Sequence, residues 1–302
     1  MKPPTNPASG ILLVDKPKGL TSHDVVSRTR KIAGTRKIGH AGTLDPMATG
    51  LLVLGMNSST RLLTFLVGLG KEYFATIRLG QSSDTDDAEG TLGEPADTSG
   101  VHGAAVAAGI AALTGEISQV PSSFSAIKVD GKRAYSLARA GEDVELRART
   151  VTIAAFEVLE TREVDGFVDL DVRVECSSGT YIRALARDLG LSLGVGGHLT
   201  ALRRSKVGPF DVAQASTLAD LVVNDRLLTP ASVATTLFPA HRLDEQSVID
   251  LVHGKRLEIP ELAGTDGPIA GLGPDGRLVG LLAANGATVK PLVNFPTDEV
   301  LA

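Results

Sequence analysis

The sequence holds one cysteine, Cys176, no tryptophan and only three tyrosines in 302 residues. A lone thiol makes no internal disulfide and completes no zinc site, so a disulfide-stapled secreted scaffold is excluded and Cys176 reads as a small buried hydrophobe. The six histidines include no pair at metal-ligand spacing, so no metal is expected. Long apolar runs are missing as well: residues 50–56 and 62–69 are the longest, each broken or flanked by glycine, against the ~18–20 residues a membrane helix needs. Residues 1–10 are proline-rich and lack a basic segment followed by an apolar one, which gives no secretory signal and the expectation of a cytoplasmic protein. A basic excess is also lacking. The 30 Lys and Arg against 35 Asp and Glu leave a formal charge of −5, which argues against nucleic-acid binding by the surface as a whole.

What is present is an ordinary globular composition, 43% hydrophobic and 22% charged, with enough apolar surface for a core and enough length for two domains. The positive charge is concentrated. Lys16, Lys18, Arg28, Arg30, Lys31, Arg36 and Lys37 face a single acid, Asp24, and Arg183, Arg187, Arg203, Arg204 and Lys206 form a second group around Asp188. Such clusters either converge on a phosphate-binding face or are solvated surface.

Residues 11–14 predict a short strand, and Ser22 followed by Val25, Val26, Thr29 and Ile32 predicts a capped helix with one buried face. Residues 34–46 read as a glycine-rich irregular loop before a strand at 51–54. Alternation of Tyr73, Ala75, Ile77 and Leu79 with polar neighbours predicts a half-buried strand. Residues 104–113 predict a helix, Asp130-Gly131 a hairpin turn after a strand at 125–129, residues 151–162 and 167–176 an antiparallel pair around Val164-Asp165-Gly166, and residues 180–189 a helix capped by Thr180. This is an α/β (α+β) pattern: a mixed, largely antiparallel sheet with flanking helices, followed beyond Pro239 by a helix at 244–252 and a small β-rich region.

Three motifs carry little. Gly271-Leu-Gly273-Pro-Asp-Gly276 has dinucleotide-fingerprint spacing, but its turn signature and the strand pattern after it are those of a hairpin. The acidic stretch Asp84, Asp86, Asp87, Glu89 lacks calcium-loop spacing and reads as solvated. Asp169 and Asp171 alternate with apolar residues and read as the exposed face of a strand.

The segment Gly39-His-Ala-Gly-Thr-Leu-Asp-Pro-Met-Ala-Thr-Gly50 has His40 and Asp45 as its only ionisable groups. Taken alone, Asp45 before Pro46 is a helix N-cap. The segment nevertheless resembles, almost residue for residue, the catalytic motif of bacterial TruB-type tRNA pseudouridine(55) synthases. Further resemblance lies in Leu13-Val-Asp-Lys-Pro-Lys-Gly19, Lys71-Glu-Tyr73, the block from Leu79 to Gly90, Pro121-Ser-Ser-Phe-Ser-Ala-Ile-Lys128, Gly179-Thr-Tyr-Ile-Arg183 with Asp188-Leu-Gly190, and Gly197-His-Leu-Thr-Ala-Leu-Arg-Arg204.

The resemblance implies a pseudouridine synthase catalytic domain over residues 10–239 and a PUA-like C-terminal domain over 240–302. It implies Asp45 as catalytic aspartate, Tyr73 as the tyrosine at the uracil, Arg183 as the aspartate's arginine partner, His40 as a residue that helps displace the target base, and Tyr181 and Leu202 as lining of the base pocket. The implied activity is isomerisation of uridine 55 in the T-loop of tRNA. That reaction exchanges an N1–C1′ bond for a C5–C1′ bond without redox change or hydrolysis, so no cofactor is expected. A carboxylate serves as nucleophile at C6 or C1′, or as base in an elimination. The base has to be extruded from a structured loop, at a cost of about a few kcal/mol.

Arg28, Lys31, Arg203, Arg204 and Lys206 are the candidate phosphate contacts, and tRNA, met by a monomer, is the expected partner. Residues 241–302 carry nine acids against five bases, which weakens a strong RNA contact for that domain. A guide-dependent synthase is disfavoured because no extended basic tail is present. The alternative from another class is a non-catalytic RNA-binding module or tRNA-folding chaperone. Read singly, His40 is a satisfied loop histidine, Tyr73 a buried strand tyrosine and Arg183 an exposed helical arginine.

Overall fold

The structure, a computed structural model, describes residues 8–122, 128–129, 132–133 and 146–296. The chain divides into two compact units, one of Met1–Pro46, Gly50–Val67 and Pro209–Ala302, the other of Met47–Thr49 and Gly68–Gly208.

In the first unit, strand Gly10–Lys16 lies antiparallel to Thr49–Met56 in a register that sets Leu12 opposite Leu54 and Val14 opposite Leu52. Ser216–Thr217 adds a parallel strand to its other edge. The central strands are apolar throughout, as strands covered on both faces must be, and Leu51, Leu52, Val53 and Leu54 are fully buried. Helix Ser22–Ala33 packs Val25 and Val26 into this core. Its cap is Thr21, not Ser22: Thr21 and Asp24 form a reciprocal capping box, and Ser22 is the first helical residue with its hydroxyl turned inward. Ile32 is 46% exposed, because Ala33 makes the last-turn contact with the core.

The expected loop at 34–46 contains a strand, Ile38–His40, paired with Thr49–Met56. Three residues including a glycine are too few to show a period of two, so sequence pattern missed it.

The C-terminal part of this unit has its own five-stranded sheet, ordered Ala240–Arg242, Ile269–Leu272, Leu278–Asn285, Thr288–Asn294, Leu257–Glu258. Helix Glu245–Val252 is capped by Asp244, whose carboxylate accepts the Ser247 N–H at 2.7 Å. Leu243, Leu251, Ile269, Leu282 and Val289 form a core of their own. Gly271 to Gly276 is the end of one strand and the turn of a hairpin into the next, so no dinucleotide fingerprint exists there.

The second unit is an antiparallel sheet in the order Gly197–Val207, Lys71–Leu79, Phe167–Cys176, Arg149–Val164, Gly115–Gln119. Asp165 and Gly166 both have positive φ, 52° and 84°, the geometry of a two-residue hairpin turn whose twist matches its strands. Helix Gly103–Ala112 contacts helix Ile182–Ser192. The latter begins at Ile182, and Thr180 does not cap it: the Thr180 hydroxyl donates to the Ser177 carbonyl. Gly190 lets this helix close on the following strand, since a Cβ there would sit 2.2 Å from Gly196 C and Gly197 N.

On one sheet face Arg78 grips Asp169 with two 2.7 Å bonds, Arg162 and Thr76 hold Asp171, and Arg173 joins Glu72, Glu157 and Glu175. Asp169 is therefore buried, contrary to its expected exposure. Alternation placed both aspartates on the polar face, but arginines on the neighbouring strands cover it.

Strands Lys128–Val129 and Lys132–Arg133 pair antiparallel; Asp130-Gly131 and residues 123–127, with the expected strand at 125–129 in part, lie outside the described residues. Among the described residues no helix is long and apolar enough to cross a membrane, and no three metal-ligating side chains cluster.

Candidate active site

No helix follows Asp45. Pro46 and Met47 form a turn leading into strand Thr49–Met56, which removes the helix-cap explanation for the aspartate. The backbone on both sides of Asp45 is anchored within the first unit. Leu44 N–H donates to Ser22 Oγ at 2.8 Å, and that hydroxyl donates back to the Leu44 carbonyl at 3.1 Å. The Pro46 carbonyl accepts Gly19 N–H at 2.8 Å and Lys16 Nζ at 3.3 Å. Lys16 Nζ also donates to the carbonyls of Pro17 and Leu20 at 3.0 and 2.7 Å.

Lys16 is thus fully buried and belongs to the loop's framework, not to the basic surface in which the sequence count placed it. Burying an ammonium is costly unless its protons are met by acceptors, and three carbonyls meet them here. The result is a half-buried carboxylate on a backbone bracketed by two fixed peptides, which limits the aim of its side chain. His40 sits at the end of its strand, half-buried, with its ring edge-on to His23 at 5.7 Å between centroids. Arg28 and Lys31 are exposed on helix Ser22–Ala33, whereas Arg30 turns back to donate to the Ile38 carbonyl at 2.8 Å.

In the second unit, Tyr73 is buried at 8% exposure on strand Lys71–Leu79. Its cross-strand partner is Arg204, and Ala75 pairs with Leu202, so Tyr73, Leu202 and Arg204 share one face of the sheet. That register explains a correction to the basic group. Arg204 is 1% exposed and offers no surface charge; Lys206, 47% exposed at its side chain, and half-exposed Arg203 do.

Arg183, in the first turn of helix Ile182–Ser192, is 4% exposed, so it is no solvated helical arginine. Its Nη1 donates to the Thr85 carbonyl at 2.6 Å and Ser122 Oγ at 3.2 Å and faces Asp87 Oδ2 at 3.4 Å. One turn on, Arg187 meets Asp86 at 3.2 Å. The acidic loop is accordingly not solvated: Asp86 and Asp87 are 6% and 5% exposed. Burial raises the Asp86 carboxyl above its usual range, opposed by Arg187.

Sequence reading missed Asp87, Thr85 and Ser122 as partners of Arg183. The available signal was complementarity, two arginines four apart on a helix matching two adjacent aspartates. Tyr181 is half-buried and Leu202 buried.

Burial pushes the Cys176 thiol up to about 11, which leaves almost no thiolate at neutral pH. The folded protein is expected to give no fast reaction with a thiol reagent at pH 7.5 and one equivalent after unfolding; a fast equivalent in the folded state contradicts the burial.

Residues 30–182 match the family described as TruB family pseudouridylate synthase (N terminal domain). The chain belongs to the TruB family of pseudouridylate synthases. Residues 183–231 match the tRNA pseudouridylate synthase B C-terminal domain, and 238–296 match tRNA Pseudouridine synthase II, C terminal. The tRNA pseudouridine synthase B of Leifsonia xyli is 59% identical over 296 residues, covering 97% of this chain and 98% of that protein. The tRNA pseudouridine synthase B of Thermobifida fusca is 53% identical, covering 95% and 99%.

Among solved structures, an H/ACA RNP bound to a substrate RNA containing 2'-deoxyuridine matches with TM-score 0.71 and 27% identity, over 96% of this chain and 86% of that one. An archaeal box H/ACA sRNP Nop10-Cbf5 complex matches with TM-score 0.71 and 26% identity, over 98% and 90%. The TruB fold therefore extends along nearly the whole chain, and the anchored Asp45 loop and the buried Arg183 sit within it.

Proposed function

We propose that this TruB-family enzyme isomerises uridine 55 in the T-loop of tRNA to pseudouridine, with residues 10–239 as its catalytic domain and 240–302 as its C-terminal domain. The observation that carries this reading is 59% identity over 97% of the chain to a protein named tRNA pseudouridine synthase B. The same comparison favours a stand-alone tRNA enzyme over a guide-dependent one, since the H/ACA relatives are only 26–27% identical.

In this reading Asp45 supplies the carboxylate that acts on the extruded uridine. The N1–C1′ bond breaks, the uracil turns, and C5 bonds to C1′; C5 gives up its proton and N1 gains one. Atoms and electrons balance within the substrate and water, so no cofactor is needed. Tyr73 stacks on the base, Tyr181 and Leu202 line its pocket, and His40 helps displace it. Arg183 holds the catalytic carboxylate in its charged form, which desolvation alone would disfavour. Its planar fork suits that task, because it binds two acceptors at fixed angles.

A T-arm stem-loop carrying uridine 55 tests this. Mapping at single-nucleotide resolution is expected to find pseudouridine at that position alone, and none when it is cytidine. Modification at another uridine, or none, overturns the site assignment.

Exposed Arg28 and Lys31, with Arg203 and Lys206, are proposed to meet flanking phosphates. Each contact releases counterions, so tRNA affinity falls as salt rises, and Arg28→Ala or Lys31→Ala lowers the slope of log affinity against log salt by about one each. Unchanged slopes in both variants remove Arg28 and Lys31 from the interface.

A further inference from the structure

Gln119 ends strand Gly115–Gln119 and is completely buried. Both polar atoms of its side chain go to a single residue 62 positions away. Tyr181 N–H donates to Gln119 Oε1 at 2.9 Å, and Gln119 Nε2 donates to the Tyr181 carbonyl at 3.1 Å.

Tyr181 is the N-cap of helix Ile182–Ser192 and caps it with no side-chain bond. A helix start without a capping side chain leaves its amide groups and entry direction to be fixed from outside. Gln119 does so, while the Tyr181 carbonyl also accepts Ala184 N–H at 3.1 Å as the first turn of the helix closes. The residues that follow continue the strap. The Val120 carbonyl accepts Arg187 Nη2 at 2.8 Å, and Ser122 Oγ accepts Arg183 Nη1 at 3.2 Å.

A carboxamide of this length both donates and accepts; a carboxylate loses the donor, and a thioether loses the donor and keeps only a weak acceptor. We infer that Gln119 is a positioning residue for the isomerisation, its side chain fixing the Tyr181 backbone and, through the helix start, the Arg183 guanidinium. This rests on the roles proposed above for Tyr181 and Arg183. A misplacement of about 1 Å in a reacting arrangement costs about a hundredfold in rate, so the expected loss is in the chemical step and not in RNA capture.

The test uses single-turnover conversion of the T-arm stem-loop, which separates the rate constant from the reacting fraction, together with RNA affinity and thermal melting of each variant. Gln119→Met keeps the volume, removes the bond to the Tyr181 carbonyl and leaves at most a weak acceptor for the Tyr181 N–H. Its rate constant is expected to fall about 30- to 100-fold, with affinity within about threefold of wild type. Gln119→Glu, ionised, keeps the acceptor and loses the donor, and its rate constant is expected to fall about 10- to 30-fold. A purely structural amide lowers the melting temperature and the reacting fraction but leaves the rate constant of the folded molecules alone.

A rate constant within about threefold of wild type in Gln119→Met overturns the inference, and Gln119→Glu decides by the same criterion if the methionine variant does not fold. Asp45→Asn is run alongside. If it is inactive while both Gln119 variants are normal, only the positioning role fails; if it is active, the reading of Asp45 fails.

Discussion

Arg183→Lys is expected to slow isomerisation by about a thousandfold, although the charge is retained. The guanidinium is 4% exposed and its Nη1 reaches the Thr85 carbonyl, Ser122 Oγ and Asp87. A lysine places one compact charge at the end of a flexible stem and cannot match the fixed donors of a planar guanidinium, so it loses those partners and, with them, the role proposed for Arg183. Hydrogen bonds to charged groups are worth about 1.5–3 kcal/mol each, so denaturant titration is expected to show a loss of about 2–4 kcal/mol. Arg183→Ala goes further, by about 3–5 kcal/mol, because Asp87 at 5% exposure keeps a buried charge whose partner is gone. Wild-type turnover in Arg183→Lys assigns the residue to folding alone.

Asp45→Asn is the larger catalytic effect. An asparagine has the same shape and fits the same bracketed loop, whose peptides at Leu44 and Pro46 are anchored to Ser22, Gly19 and Lys16. Stability and tRNA affinity are therefore expected to stay near wild type. An amide is neither a nucleophile nor a base for this chemistry, so the rate is expected to drop by about four orders of magnitude or more. Loss of fold together with activity contradicts the backbone anchoring described here.

Much of the architecture was legible because it follows simple periodicities. Tyr73, Ala75, Ile77 and Leu79 alternate and are all buried, and the 167–176 strand pairs with its predecessor around Asp165-Gly166. Asp244, with its carboxylate on the Ser247 amide, marks a helix start by chemistry that local sequence reveals. What escaped was set by contacts distant in sequence.

Ser22 looked like a cap, but its hydroxyl is taken by Leu44, 22 residues on, and Thr21 has the acid three residues ahead that a capping box requires. Lys16 and Arg204 counted as surface charge until tertiary structure buried them. Asp86 and Asp87 looked solvated because nothing local shows that Arg187 and Arg183, about a hundred residues later, come to meet them. Asp45 itself stood out by motif alone; its local chemistry favoured a cap, and only the turn at Pro46 and Met47 removed that option.

In the proposed reaction one carboxylate, on a loop held from both sides, acts on a single uridine of tRNA. The decisive measurement incubates unmodified tRNA in parallel with the wild-type protein and with Asp45→Asn, both at concentrations that saturate binding, and maps pseudouridine nucleotide by nucleotide. The expected result is full conversion at position 55 by the wild type and none by the bound variant. Conversion at that position by Asp45→Asn removes Asp45 from the chemistry.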